Sequence, residues 1–142
     1  MKVHSNRKTL AFRLVPLVLF ILAGSLFSAG AANAQSSGLA GYWRGSGHIS
    51  PSEGARERVR CRVWITRESQ RSYRVVARCA SQGANIDQSG RVVQTGSNRF
   101  AGEFYNSDYN IRGRIHISLR GNRQYVSMRS ESGSGSLELF RR

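Results

Sequence analysis

Residues 56–80 read RERVRCRVWITRESQRSYRVVARCA, two alternating runs that carry both cysteines of the chain. Strand side chains alternate between faces. In the first run Val59, Cys61, Val63 and Ile65 share one face, and Arg56, Arg58, Arg60 and Arg62 share the other. In the second run Tyr73, Val75, Ala77 and Cys79 share a face, with Arg74 and Arg78 opposite. The polar stretch Thr66 to Ser72 connects them, which predicts an antiparallel hairpin. A turn near Gln70 sets Cys61 opposite Cys79. A bridge there closes a loop of about 18 residues and contributes ~3 kcal/mol in the chain-entropy model. The alternative is a pair of free, buried cysteines. No CxxC pair or histidine cluster accompanies them, so no metal site is expected.

The redox compartment bears on that pair. Lys2, Arg7, Lys8 and Arg13 precede Leu14–Phe27, which carries no charge. Small residues then lead to Ala32-Asn33-Ala34. A basic segment, a short apolar segment and an A-x-A site predict a secretory signal peptide over residues 1–34, cut after Ala34. The competing reading is a membrane anchor, but 14 residues are short for a span. The expected product, residues 35–142, is a single domain in a bacterial periplasm or outside the cell, where disulfides persist. It is not expected to span the membrane after cleavage.

Residues 35–142 hold 18 arginines, no lysine and 8 acids, a formal charge of +10. A chain of this size buries roughly 60–70% of its unfolded surface, an adequate but modest core. The charge favours anionic partners. Lysine is missing either for a functional reason or because a GC-rich genome favours arginine codons.

The remaining chain is also strand-like. Leu39, Gly41, Trp43, Gly45, Gly47 and Ile49 fall on one face, and the glycines suggest close backbone approach. Residues 50–54 and 81–85 read as turns, with a strand over 86–94 between the second of these and a turn at 95–98. Phe100, Gly102 and Phe104 alternate in the next strand, and Asn106-Ser107-Asp108 turns the chain. Tyr109, Ile111, Gly113, Ile115, Ile117 and Leu119 alternate with Asn110, Arg112, Arg114, His116 and Ser118. Arg120-Gly121-Asn122 is a tight turn signal. Gln124–Ser130 turns Val126 and Met128 inward, Glu131–Gly135 reads as a flexible loop, and Leu137 and Leu139 mark a last strand. Eight short strands with no helical period predict an all-β fold, one small antiparallel barrel, with a β-sandwich as the alternative. An outer-membrane barrel would need an apolar outer belt where arginines stand here.

Gly41-Tyr42-Trp43 reads G-x-W at the start of the first strand and resembles the lipocalin and avidin-like barrels of the calycin group. Those barrels often set an arginine of the last strand against that tryptophan, a role the resemblance offers to Arg141. Length, leader, one cysteine pair and the ending LELFRR resemble the periplasmic metalloprotease-inhibitor barrels. That family blocks its protease with an N-terminal arm; here Gln35-Ser36-Ser37-Gly38 precedes the first strand. Trp43-Arg44-Gly45-Ser46-Gly47 and Arg60-Cys61-Arg62 also resemble small secreted alphaproteobacterial proteins with W-x-G-x-G and R-C-R elements.

No catalytic residues are expected. His48 and His116 fall on outward positions, and Gly45-Ser46-Gly47 lacks the strand–turn–helix setting of a nucleophile elbow. The acids are dispersed near turns or beside arginines rather than converging. No phosphate loop or cofactor motif is present, so no cofactor is expected. Two binding modes remain. Trp43, Tyr73, Phe100, Phe104, Tyr109 and Ile111 line an interior that either holds a small apolar ligand or is filled by those side chains. Arg56, Arg58, Arg60, Arg62, Arg74, Arg78, Arg112 and Arg114 either bind an anion or form a solvated exterior; alternate positions lie ~6.6–7 Å apart. The expected partner is an anionic envelope component or a secreted protein, not a physiological nucleic acid. The reading is a non-catalytic envelope binding protein, with a periplasmic inhibitor of a secreted protease as the alternative.

Overall fold

Alternation along each strand, repeated eight times, produces a wall with an apolar inner and a polar outer surface. A computed structural model describes residues 38–142; the expected signal peptide over residues 1–34 and the first three residues of the expected arm, Gln35–Ser37, lie outside the described residues. The strands are β1 (Gly41–Pro51), β2 (Glu57–Arg67), β3 (Ser72–Ala80), β4 (Asn85–Gly96), β5 (Arg99–Asn106), β6 (Ile111–Arg120), β7 (Arg123–Ser130) and β8 (Gly133–Arg141). Each pairs antiparallel with the next, and β1 pairs with β8 to close an eight-stranded barrel. The β-sandwich alternative is thereby set aside. Closure leaves no free sheet edge.

The core is the barrel interior. Val59, Cys61, Val63 and Ile65 of β2 are buried, as are Tyr73, Val75, Ala77 and Cys79 of β3. The β2–β3 register places Cys61 directly opposite Cys79, and a disulfide joins them with Cα atoms 4.1 Å apart. Trp43, Phe100 and Phe104 are buried as expected, and Ile111 packs against the core while partly open to solvent. Close approach of β1 to β8 explains the β1 glycines. A Cβ built on Gly45 would lie 2.8 Å from the Leu139 Cα, and one on Gly47 2.7 Å from the Leu137 Cα.

Two expectations are corrected. Tyr109 does not line the interior; it is 55% exposed. The Asn106 Oδ1 accepts a hydrogen bond from the Tyr109 backbone N at 3.0 Å, and Asn110 adopts a φ of 51°. This side-chain-supported turn interrupts the alternation, so β6 starts at Ile111. The expected loop over residues 131–135 is confined to Glu131 and Ser132, and β8 already begins at Gly133. Gly133, Ser134 and Gly135 pair on both sides, with Ser130–Met128 and with Pro51–Ile49. Ladder hydrogen bonds need only backbone, and Gly133 at φ 139° fits where a Cβ would crowd Pro51.

Candidate functional site

The two ends of the barrel differ. One end is closed by the segment before β1. Leu39 and Trp43 are fully buried there, and the Trp43 indole donates from Nε1 to the Leu39 carbonyl at 3.0 Å. From β8, the Arg141 guanidinium stacks 4.2 Å over the Trp43 ring. It also donates to the Ala40 carbonyl at 2.7 Å and to the Gly38 carbonyl. Partial burial pulls its pKa below the usual arginine value. This is the arrangement that the G-x-W resemblance implied for Arg141. Tyr73 and Phe100 meet edge to face behind it, with centroids 5.4 Å apart.

Above this plug the interior is nearly full. A central cavity of about 20 Å³ is lined by Val63, Phe104, Val126, Leu139 and Gln124 among others. Gln124 was not singled out from the sequence, although it sits two residues before inward Val126. It has no exposed surface, and neither amide atom has a hydrogen-bond partner in the protein. An unsatisfied buried amide costs roughly 1–3 kcal/mol. Gln124→Leu therefore raises stability by about 1 kcal/mol in urea unfolding. A destabilised variant would show that the amide is satisfied in solution, the cavity being large enough for one water.

The opposite end is open. It forms a cup of about 360 Å³ walled by Ile49, Ile86, Phe104, Ile111 and Met128, with Tyr109 at the rim. Polar groups at its mouth come from Glu57, Gln88, Asn106 and Ser130. The Asn106 carbonyl oxygen is already engaged by Tyr109. The interior is thus filled in its middle and open at one rim.

The arginines predicted as one set fall into separate environments. Arg58, Arg60 and Arg62 project outward from β2, with Arg78 beside them on β3. Arg44, not predicted, joins them because β1 pairs it directly with Arg62. Arg74 is paired, sharing Glu68 with Arg91. Glu68 takes a 2.7 Å hydrogen bond from Arg91 and another from Arg74. The bond from Arg91, then that from Arg74, holds the Glu68 carboxyl below the usual carboxylate range. Arg112 stacks 4.5 Å over the Tyr105 ring. Arg112 and Arg114 stand on β6, four strands from β2 and so across the barrel. Arg56 lies exposed in the loop before β2. His48 and His116 both project from the outer wall, on β1 and β6. Among the described residues no group of three or more His, Cys, Asp or Glu side chains gathers as a metal site.

No family model and no curated protein matches the sequence. Solved structures do match in fold. A redesigned β-barrel, mFAP1, bound to DFHBI, superposes with a TM-score of 0.60 at 14% identity, covering 73% of this chain and 94% of that one. A fluorescence-activating β-barrel of de novo design gives 0.57 at 17% identity, covering 72% and 93%. A third barrel, the redesigned b11L5F_LGL, gives 0.59 at 16%, covering 75% and 93%. At such identities the likeness is one of fold. The shared fold is an eight-stranded antiparallel barrel, which fits a calycin-like architecture.

Proposed function

We propose that the protein is a non-catalytic binding barrel of the bacterial envelope that holds a small, largely apolar molecule in its open rim. The carrying observation is the asymmetry of the interior. One end is sealed by Trp43, Leu39 and Arg141, whereas the other keeps a cup of about 360 Å³ with apolar walls. Pockets that retain small ligands are concave, mostly apolar and fitted with a few polar groups. The mFAP1 barrel is bound to DFHBI, and its fold-level likeness supports the same use of a barrel here. The expected leader and the Cys61–Cys79 disulfide support an extracytoplasmic setting.

An environment-sensitive apolar dye tests this reading. Its fluorescence should rise on binding, with an affinity that changes less than about twofold between roughly 50 and 500 mM salt, since apolar contacts are not screened. Ile111→Glu places a charge on the cup wall and should weaken binding by at least about tenfold. Absence of dye binding, or equal binding by the variant, would overturn the proposal.

A further inference from the structure

The outer wall of β1, β2 and β3 carries a pattern that the cup does not use. Barrel pairing aligns Arg44 with Arg62 and Arg62 with Arg78, a lateral row of three guanidinium groups on adjacent strands. Adjacent strands stand ~4.8 Å apart, and like charges directly opposite one another repel. Among the described residues the row makes one ion pair, Arg78 with Asp87 at 3.7 Å, with both side chains largely in water. Arg60 and Arg58 extend the positive face along β2. Arg44, Arg58, Arg60 and Arg62 make no ion pair among the described residues.

One outward step toward the closed end, the same three strands present an apolar row. Tyr42 pairs with Trp64, and Trp64 with Val76. The Tyr42 and Trp64 rings lie 5.3 Å apart between centroids. Trp64 is 41% and Val76 39% exposed. Both rows point the same way, since each pair of neighbours is two residues apart along its strand, ~6.6–7 Å.

We propose that this face docks on a bilayer leaflet containing anionic phospholipid. Tyr42, Trp64 and Val76, which share one level of the wall, enter the headgroup region, where amphipathic rings settle. The Arg44–Arg62–Arg78 row meets the phosphates, with guanidinium geometry suited to bidentate contact. The make-up of the apolar row selects this occupant. Single-stranded nucleic acid sites set aromatic groups and cations along one groove so that bases stack between phosphate contacts. Here Tyr42 and Trp64 pack against each other and continue into aliphatic Val76, a continuous apolar strip rather than spaced stacking platforms. Exposed Phe140 of β8 stands beside Arg44. An apolar strip flanked by cations is the arrangement of an interfacial element.

Tryptophan emission reads the contact directly. The chain has two tryptophans, and Trp43 is fully buried, so a change on docking reports Trp64. Phosphatidylcholine vesicles containing about one-third phosphatidylglycerol should shift the emission to the blue and sediment with the protein, and brominated acyl chains should quench it; phosphatidylcholine alone should do neither. The double variant Arg44→Gln, Arg62→Gln should weaken partitioning by about 20-fold or more, at roughly fivefold per arginine near the surface. Trp64→Ser should abolish the shift and weaken binding as well. All these positions are on the outer wall, so the melting curve checks that the fold is retained. Equal vesicle binding by wild type and both variants would overturn the proposal. So would binding to soluble heparin or oligonucleotide without binding to anionic vesicles, which would assign the face to a polyanion chain.

Discussion

Cys61→Ser lowers the unfolding free energy of the oxidised protein by roughly 2–5 kcal/mol. The bridge spans a sequence separation of 18 and ties residues that already face each other in β2 and β3. Its contribution therefore comes mainly from restricting the unfolded chain, about 3 kcal/mol for a loop of this length. Serine adds a second cost. Cys61 and Cys79 are both buried in the apolar interior, so the new hydroxyl has apolar neighbours where it needs a partner. At about 4–8 °C per kcal/mol for a domain of this size, the melting temperature should drop by at least about 8 °C. Reduced wild type separates the two contributions, since it loses the cross-link without gaining the hydroxyl. It should unfold between the oxidised protein and the variant. An unchanged melting curve, together with reactive thiols in the untreated protein, would refute the cross-link.

Trp43→Ala has a comparable or larger effect, about 3–5 kcal/mol, because three interactions end at one side chain. The ring fills the closed end with no exposed surface, its Nε1 holds the Leu39 carbonyl, and its face carries the Arg141 guanidinium. Removing it leaves a cavity beneath a cation that is already partly desolvated. Trp43→Phe keeps most of the packing and the cation–ring contact but loses the indole donor, and should cost about 1–3 kcal/mol. The order alanine below phenylalanine below wild type, in urea midpoints at constant slope, checks the assignment. A cost below about 1 kcal/mol for alanine would mean that the end is not packed as described. The same variant bears on the cup only indirectly, since Trp43 does not line it.

Much of the fold was legible because strand alternation is written locally. The Val59–Ile65 and Tyr73–Cys79 sets could be assigned to one face from spacing alone, and a turn near Gln70 already implied the Cys61–Cys79 pairing that the register displays. Local reading failed where a side chain redirected the backbone. The alternation of Tyr109 with Ile111 looked continuous, yet Asn106 holds the Tyr109 amide and Asn110 turns left-handed, so Tyr109 leaves the interior. It failed again at Gly133–Gly135, where few side chains signal a strand and pairing on both flanks makes one. Gln124 shows the converse: its parity with Val126 points inward while its polar side chain favours solvent, and the closed barrel buries it.

The candidate surfaces divide along the same line. Alternation determined which arginines face outward, that the large apolar residues face inward in most strands, and that the two cysteines share a face. These follow from a period of two within single strands. Lateral neighbours depend instead on register between strands and on closure of β1 against β8. That closure decided that Arg141 reaches Trp43, and hence which end is plugged and which stays open. Register decided that Arg44, Arg62 and Arg78 form one row beside Tyr42, Trp64 and Val76, while Glu68 draws Arg74 and Arg91 into ion pairs. A one-residue slip would reverse every face, and a two-residue slip would keep the faces but change every neighbour. The order of residues along one strand therefore determines orientation, and only the closed sheet determines proximity.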